Sequence, residues 1–328
     1  MQKTWTSDFK AILKARPRGH VLAVCFHPAL DVTVYTNGGQ ETHRREDLGG
    51  KAVNLARMLY ALGANVTLVC PDDYEKKTSA FFQNTGLDAH FVPTNLTLRT
   101  NYKHIDTDGT AREQNGTAGE IFPQHYAQFI DRVLHICRTR KITHVALCGS
   151  FPQGVEKGVY KSLIEQLSAQ HIACLTDCSG EPLSLAVQAK PLLIKPNLQE
   201  FGDTFAQDIS MLKTQNAAAE AIFAAYERTS VEILCSMDKR GSIYACKEGV
   251  YTVQCREVTH VEGFAGAGDT MLACFIFARY LCGVSVEESL RFAAAAATAK
   301  VRLPANTLPI PDQMFEEWVH TQVRKGMA

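Results

Sequence analysis

One short segment, Gly266-Ala267-Gly268-Asp269, combines residue types that suit phosphate chemistry. Small residues at the start of a predicted helix expose backbone N–H groups that lack a partner within the helix, and these donors favour an anion. A neighbouring aspartate could then accept the proton of a hydroxyl that attacks the phosphate. The alternative is that Asp269 only caps the helix. A dinucleotide-binding fingerprint fits less well, because Gly263, Gly266 and Gly268 lack the G-x-G-x-x-G spacing.

The composition predicts a large globular protein without a polyanionic partner. The chain has 328 residues, of which 46% are hydrophobic and 21% are charged, and a chain of this size can bury a substantial core. Lys and Arg number 34, and Asp and Glu also number 34, so no net charge attracts nucleic acid or an anionic membrane. We therefore expect neither of these as a partner.

The cysteines and the apolar runs predict a cytoplasmic protein. The 11 cysteines are scattered and contain no C-x-x-C pair, which is typical of reduced core thiols. A membrane-spanning helix needs about 18 uncharged apolar residues, whereas the run that begins at Met271 is interrupted by Arg279. Residues 1–20 place Trp5 and Phe9 at helical spacing among basic residues, which indicates an N-terminal extension, either an added amphipathic helix or a loose tail.

Short strand-like runs alternate with helical patterns along most of the chain. The strands are predicted at residues 21–26, 66–70, 145–148, 172–176, 192–194 and 231–235. The helices are predicted at residues 52–62, 124–138, 156–169 and 217–227. This alternation predicts an α/β fold, in which a mostly parallel sheet carries helices on both faces.

Two polar segments break this alternation. Residues 32–45 turn at Asn37-Gly38-Gly39 and residues 99–114 turn at Asp108-Gly109, so each segment is predicted to form a β-hairpin. Their alternation of polar residues suits a small sheet that stands off the core. We expect this sheet to act as a lid over a site or as a dimer contact.

Several short motifs recur in an order that resembles one enzyme family. In chain order they are HPALDVT (27–33), GGKAVNLARMLYALG (49–63), RTNYK (99–103), GSFPQG (149–154), TDCSGE (176–181), KPNLQE (195–200), SMDKRG (236–241) and GAGDT (266–270). Together they resemble the ribokinase-like carbohydrate kinases, in the branch that contains 1-phosphofructokinase and tagatose-6-phosphate kinase. The resemblance covers about residues 21–311. It implies a three-layer ribokinase-like fold in which residues 21–328 form the kinase domain and the two hairpins form a small β-sheet lid.

The resemblance implies a site for a sugar that already carries a phosphate. The residues implied to bind the sugar or its phosphate are Asp31, Gly50, Lys51, Asn54, Arg99, Lys103 and Ser150. Asp31 would accept hydrogen bonds from sugar hydroxyls, unless it is only a turn residue. Lys51 would contact the substrate phosphate, and Arg99 and Lys103, on the same face of one strand, would meet it from the other side. Each of these residues taken singly could instead be solvated surface.

The resemblance also implies a nucleotide site built from the later half of the chain. The residues implied are Asn197, Ser236, Asp238, Gly241, Gly266 and Gly268 for ATP, and Glu200 for Mg²⁺. In the N-x-x-E element from Asn197 to Glu200, the glutamate would organise Mg²⁺ through water, since Mg²⁺ keeps much of its hydration shell. The alternative is an ordinary helix start after Pro196. Ser236 and Gly241 could likewise form a plain turn between strands.

The sequence departs from the family pattern at several positions. His27 and Ala52 stand where the family usually has Asn and Gly, which should leave the chemistry intact. Asp238 replaces a glycine of the ATP loop and brings a like charge near the phosphates. Gly263 and Phe264 replace the usual Asp or Asn and the following Thr before the glycine turn. These last three departures bear on nucleotide affinity and on monovalent-cation effects.

The function implied is an ATP- and Mg²⁺-dependent kinase that acts on a hydroxyl of a ketohexose phosphate. Asp269 would be the base, and the turn Gly266-Ala267-Gly268 would hold the migrating phosphoryl group. Conversion of fructose 1-phosphate to fructose 1,6-bisphosphate is expected first, and a tagatose-6-phosphate kinase or 6-phosphofructokinase second. Lys51, Arg99 and Lys103 argue against a kinase of unphosphorylated sugars or nucleosides. A catalytically weak sensor of sugar phosphate or nucleotide is the alternative of another class, and the lid suggests a homodimer.

Overall fold

The computed structural model describes residues 5–107, 111–117, 119–259, 262, 265–304 and 307–326. The strands among them are β1 Val21–Cys25, β2 Ala29–Asn37, β3 Gln40–Gly49, β4 Val66–Asp72, β5 Asp88–Pro93, β6 Arg99–Asp106, β7 Ala111–Asn115, β8 His144–Cys148, β9 Ala173–Asp177, β10 Leu193–Ile194, β11 Glu232–Ser236, β12 Ser242–Cys246, β13 Gly249–Gln254 and β14 Gln322–Lys325.

The helices among the described residues are α1 Ser7–Lys14, α2 Lys51–Ala61, α3 Lys77–Ala80, α4 Pro123–Thr139, α5 Val159–Ser168, α6 Glu181–Gln188, α7 Leu198–Phe205, α8 Gln215–Thr229, α9 Ala267–Phe275, α10 Val286–Val301 and α11 Pro311–Trp318. Two 3₁₀ turns, Ile209–Met211 and Asp238–Arg240, and a π-helical turn, Ile276–Leu281, are also present. The six sheet strands and the four helices that the sequence predicts are therefore all present.

The large sheet contains ten of the described strands, in the order β14-β13-β12-β11-β10-β9-β8-β1-β4-β5. Neighbouring strands from β11 to β5 pair in parallel, whereas β12, β13 and β14 extend the sheet in antiparallel fashion. The sequence analysis did not predict β5 or the three antiparallel strands. Strand β14, for example, contains one valine among Gln322, Arg324 and Lys325, so it lacks the apolar run that identifies a buried strand.

The sheet lies between two hydrophobic cores. Along β1, Val21, Ala23 and Cys25 belong to one core, while Leu22 and Val24 belong to the other, because successive side chains of a strand point to opposite faces. Helices α1, α2, α9, α10 and α11 cover the first face, and helices α4 to α8 cover the second. The predicted three-layer α/β fold with a mostly parallel sheet is confirmed.

Helix α1, within the N-terminal extension, packs on the first core. The ring of Phe9 is fully buried and its centroid lies 5.2 Å from that of Phe315 and 5.3 Å from that of Trp318. Trp5 Nε1 donates a hydrogen bond to Asp312 Oδ1 at 2.9 Å. The apolar face of this helix is therefore docked on helix α11.

The two predicted hairpins join into one small second sheet, in the order β3-β2-β6-β7. Strands β2 and β3 turn at Gly38 and Gly39, which both have positive φ, whereas the predicted turn at Asp108-Gly109 lies outside the described residues. Strands β2 and β6 pair in parallel with Asp31 opposite Asn101. This long-range pairing brings the two segments implied in sugar binding side by side.

The structure tests the expectations about the thiols and about membrane-spanning helices. All 11 cysteines lie in the described ranges, where they are free thiols and nine of them are buried. None of the helices in these ranges combines the length and the apolar character that crossing a bilayer requires.

Candidate active site

The glycine turn lies at the start of helix α9, as the sequence predicts. Gly266 precedes the helix with a φ of +79°, a left-handed conformation that favours glycine. The N–H of Thr270 donates to the carbonyl oxygen of Gly266 at 2.9 Å, and Asp269 is buried in the first turn. The start of this helix therefore offers backbone donors for an anion next to a carboxyl group.

Helix α2 supplies a partner for Asp269. The Asn54 side chain donates from Nδ2 to Asp269 Oδ2 at 2.8 Å. The resemblance implied that Asn54 binds the sugar, and the structure places it against the predicted base. This hydrogen bond orients the carboxyl group of Asp269.

The environment of Asp269 changes its acidity. Burial and the nearby charge of Asp177 raise the pKa of Asp269 to about 6, although the Asn54 hydrogen bond and the charges of Lys51 and Lys195 oppose this rise. A general base is most efficient when its pKa lies near the working pH. A pKa of about 6 suits the predicted role of Asp269 as a base.

Asp177 and Lys195 belong to a charged cluster that the sequence analysis missed. Asp177, at the end of β9, is 1% exposed and contacts Lys51 Nζ at 2.6 Å and Lys195 Nζ at 3.2 Å. Burial alone would raise the pKa of Asp177, but the two lysines hold it below its ordinary value. Both residues lie in motifs that carried the resemblance. They also follow neighbouring parallel strands, whose carboxyl ends line the sites of such folds, and this position could have identified them.

The two lysines of this cluster flank different parts of the site. A Cβ atom on Gly268 would lie 3.1 Å from Lys195 Nζ, so this ammonium group rests against the glycine turn. Lys51, at the start of α2, was expected at the substrate phosphate, and in the structure its ammonium group pairs with Asp177. Burial would lower the pKa of Lys51, but the charge of Asp177 raises it overall, so the side chain stays protonated.

The second sheet contributes Asp31 and Arg99. Asn101 Nδ2 donates to Asp31 Oδ1 at 2.8 Å, and a Cβ atom on Gly49 would collide with Asp31 Oδ2 at 1.9 Å. Burial lowers the pKa of Arg99, and its Nε is buried without a hydrogen-bond partner among the described residues. A buried donor without a partner is costly, so Arg99 remains a candidate contact for an anionic ligand.

His27 and Ser150 follow strands β1 and β8 and meet each other. His27 Nδ1 lies 3.0 Å from Ser150 Oγ, and burial together with the charge of Arg99 lowers the pKa of His27 to about 4. The imidazole is therefore neutral at pH 7. His27, which replaces the usual Asn, thus contacts Ser150, one predicted phosphate ligand. It also lies near Arg99, another predicted phosphate ligand.

Gly50 lies beside the end of strand β1, whereas Lys103 reaches towards the glycine turn. Gly50 precedes helix α2 with a φ of +123°, and a Cβ atom there would lie 3.4 Å from Cys25 Sγ. Lys103 Nζ donates to the backbone carbonyl of Glu262 at 2.9 Å. Lys103 therefore reaches from the second sheet to the segment that precedes the glycine turn.

The N-x-x-E element forms the start of helix α7. Asn197 Oδ1 accepts from the N–H of Glu200, and Glu200 Oε2 accepts from the N–H of Asn197, each at 2.8 Å. This capping box is the helix start that the sequence analysis gave as the alternative. The capping box fixes the position of the Glu200 carboxylate. The charge of Glu200 also raises the pKa of Lys51, so Glu200 lies near the cluster that contains Lys51 and Asp177.

The loop between β11 and β12 holds the other implied ATP residues. Ser236 forms a parallel bridge with Asn197, so this loop and the N-x-x-E element are neighbours. Asp238 is exposed at a φ of +50°. A Cβ atom on Gly241 would lie 1.9 Å from the carbonyl oxygen of Val253, which requires glycine there.

The remaining departures are Ala52 and the pair Gly263 and Phe264. Ala52 is fully buried in helix α2. Gly263 and Phe264 lie outside the described residues.

Within the described ranges, no group of three or more His, Cys, Asp or Glu side chains is arranged to hold a metal ion.

Comparison with known families bears directly on this site. The family described as pfkB family carbohydrate kinase matches residues 21–313. The chain belongs to this family. It is therefore a carbohydrate kinase, a phosphotransferase with an alcohol group as acceptor, and the glycine turn, Asp269 and the charged cluster around Asp177 all lie within the matched residues.

Individual pfkB kinases resemble this chain along most of its length. A 1-phosphofructokinase from Haemophilus influenzae is 29% identical over 309 residues, which cover 90% of this chain and 96% of that protein. A 1-phosphofructokinase from Escherichia coli strain K12 is 26% identical over 254 residues, which cover 77% of this chain and 79% of that protein.

Two solved structures show the same fold. "Possible 1-phosphofructokinase" from Thermotoga maritima has a TM-score of 0.81 at 21% identity and covers 94% of this chain and 100% of its own. Phosphofructokinase-2 from Escherichia coli in complex with fructose-6-phosphate has a TM-score of 0.78 at 22% identity and covers 93% and 99%, respectively. At this level of identity, the likeness supports the fold alone.

The pKa of Asp269 predicts the acid limb of the kinase pH profile. A base must be deprotonated, so we expect kcat/KM to fall about tenfold per pH unit below a pKa of about 6. Because the second ionisation of a sugar phosphate also lies near 6, the profile is also measured for Asn54→Leu. Loss of the hydrogen bond that lowers the pKa of Asp269 should move the limb to higher pH, whereas a limb set by the substrate would stay unmoved.

Proposed function

We propose that this protein is an ATP-dependent kinase of a ketohexose phosphate, with fructose 1-phosphate as the first candidate substrate. The observation that carries this proposal is Arg99, whose buried Nε lacks a partner among the described residues and whose charge interacts with Asp31. A guanidinium group suits a phosphate and a carboxylate suits sugar hydroxyls. The relatives named 1-phosphofructokinase support the same substrate class.

In the proposed reaction, Asp269 accepts the proton of the attacking hydroxyl while Asn54 orients its carboxyl group. A bond forms between the hydroxyl oxygen and the γ-phosphorus of ATP, and the bond from that phosphorus to the bridging oxygen of ADP breaks. The backbone amides of Ala267 to Asp269 stabilise the charge on the transferred group. Lys195, which rests against Gly268, adds positive charge on the same side.

Glu200 is proposed as the protein carboxylate for Mg²⁺. This ion usually keeps several waters and takes one or two carboxylates together with substrate phosphates. Glu200, held by the capping box beside the loop that contains Ser236, fits that donor set. When bound, Mg²⁺ would neutralise charge on the ATP phosphates.

The substrate is tested by a panel of sugars and sugar phosphates in an assay of ADP release. Fructose 1-phosphate should give the highest kcat/KM, and fructose 6-phosphate and tagatose 6-phosphate are the second candidates, since the compared Escherichia coli phosphofructokinase-2 binds fructose-6-phosphate. Higher kcat/KM with unphosphorylated sugars would contradict the proposal. Binding of sugar phosphate and nucleotide without turnover would instead identify a sensor.

Arg99→Met should discriminate between substrates with and without a phosphate. Loss of a charge-assisted contact costs about 1.5–3 kcal/mol, or roughly 10- to 150-fold in kcat/KM, and this loss should appear with fructose 1-phosphate and nearly vanish with fructose. Arg112→Met, on the neighbouring strand β7 of the same sheet, is the matched control. Lys51 is less suitable, because its loss would also leave Asp177 with one lysine fewer. Equal losses on both substrates would refute the phosphate contact.

The second sheet is proposed to close over the site when sugar phosphate binds. Arg99 and Lys103 lie on β6, and closure over the phosphoryl group would exclude water. We expect backbone amides of β2, β3, β6 and β7 to gain protection from hydrogen exchange with sugar phosphate and the glycine turn to respond mainly to nucleotide. Unchanged protection of the sheet would instead favour a permanent homodimer contact.

The free thiols agree with a cytoplasmic location, which we also propose.

A further inference from the structure

Lys300 is a buried lysine at the end of helix α10. It follows the run from Ala293 to Ala299, in which every residue except Thr298 is alanine, and it is 2% exposed. Its Nζ donates to the backbone carbonyl of Pro304 at 3.1 Å. Burying a charged ammonium group in such an apolar helix costs free energy unless a partner group offsets it.

The end of the Lys300 side chain lies against the glycine turn. A Cβ atom on Gly266 would be 3.4 Å from Lys300 Cε. Lys195 rests in the same way against Gly268, at 3.1 Å. The turn that would hold the migrating phosphoryl group is therefore flanked by two buried lysines, one at each glycine.

The two lysines differ in their charge partners. Lys195 pairs with the carboxylate of Asp177 at 3.2 Å, whereas within the described ranges no carboxylate lies within 4 Å of Lys300 Nζ. A buried cation whose protein partner is only a carbonyl oxygen is suited to an anionic ligand at the adjoining turn.

The charged groups that act on Lys300 come from three elements. Asp269 of α9 favours its protonated form, while Lys103 of β6 and Arg45 of β3 oppose it. Burial is the largest influence and, with these charges, lowers the pKa of Lys300 to about 8. In the free protein, Lys300 therefore loses its proton more readily than an ordinary lysine. A phosphate bound at the turn would raise the pKa of Lys300.

We propose that Lys300 is a positioning residue of the phosphoryl-transfer site, which supports the turn at Gly266 and supplies positive charge to the phosphate bound there. This inference rests on the proposed function, because it assigns Lys300 to the same anion site. Lys195 lies within a motif that the resemblance already identified, whereas no motif contains Lys300. Its position next to Gly266 arises only in the folded chain.

The first test compares pH profiles of Lys300→Met, Lys300→Arg and the unaltered protein. In the unaltered protein, kcat/KM for ATP should fall above about pH 8, as Lys300 of the nucleotide-free enzyme loses its proton. Lys300→Met should lower kcat/KM by at least about tenfold, but by less than the 10²–10³-fold loss that is typical when a direct donor is removed. The same substitution should abolish this alkaline limb. Lys300→Arg should restore activity and keep it at high pH, since arginine stays charged. Exposed Lys141→Met is the control, with unchanged kinetics expected.

The second test does not depend on sugar turnover. Lysine labelled with ¹³C at Cε is titrated by NMR, and the signal missing from Lys300→Met is assigned to Lys300. Adding a non-hydrolysable ATP analogue should raise the pKa of this signal, because the bound phosphates favour the ammonium form.

The two tests separate this inference from the proposed function. Failure to phosphorylate any sugar phosphate would overturn the proposed function, while the NMR titration would still decide whether Lys300 senses bound nucleotide. A pKa unmoved by the analogue, or an alkaline limb that persists in Lys300→Met, would show that Lys300 is only structural and overturn the inference.

Discussion

Replacing Asp269 by asparagine is expected to lower kcat by at least about 10²-fold, the lower range for general-base catalysis. The amide keeps the size of the side chain and can still accept a hydrogen bond from Asn54, but it cannot accept the proton of the attacking hydroxyl. Because burial raises the pKa of Asp269, its ionised form is disfavoured in the folded protein. The neutral amide should therefore not reduce the free energy of unfolding at pH 7.

The measurement is kcat with fructose 1-phosphate, together with urea unfolding of both proteins. Asn54→Leu is the matched variant, since it removes the orienting hydrogen bond but leaves the carboxylate, and it should retain more activity than Asp269→Asn. If Asp269→Asn kept the original kcat, the aspartate would be a helix cap and the proposed reaction would be wrong.

Replacing Glu317 by alanine is expected to cause the second large effect, on stability. Glu317 of α11 is 1% exposed and binds Arg256 through both carboxylate oxygens, at 2.6 and 2.8 Å, and Arg302 at 2.9 Å. Arg256 precedes the glycine turn, and Arg302 follows helix α10. Since both arginines are partly exposed and can regain water, we expect a loss of about 2–3 kcal/mol in the free energy of unfolding, below the full cost of breaking a buried pair.

Urea unfolding measures this loss, with Glu165→Ala on the exposed surface of α5 as the control, for which a change within about 0.5 kcal/mol is expected. Kinase activity should also fall, because Glu317 ties the segment that precedes the glycine turn to the end of helix α10. A Glu317→Ala protein as stable as the Glu165→Ala control would mean that these ion pairs contribute nothing.

The sequence by itself determined the local features of this protein. The alternation of apolar runs and helical patterns specified the parallel sheet, because side-chain burial follows the period of each element. The glycine turn before α9 was predicted from the small residues at the start of a helix, and the hairpin turn at Gly38-Gly39 was predicted because glycine is favoured where φ is positive. The start of α7 at Asn197 was open to two interpretations, and the capping box agrees with the local one without deciding a role for Glu200.

Only the tertiary structure decided which distant groups meet. Asn54 and Asp269 are 215 residues apart in the chain, and Lys51 and Asp177 are 126 apart, so no local pattern links them. The same holds for the parallel pairing of β2 with β6 and for Lys300 beside Gly266.

The acidity of the site also depends on the folded state. Asp269 has an ordinary carboxyl group in the unfolded chain, and its pKa of about 6 arises from burial and from Asp177. Both causes exist only once helices α2 and α9 pack together at the carboxyl ends of the strands. Residue types and local spacing therefore specify the elements and the available chemical groups, whereas desolvation and long-range contacts set the properties of those groups.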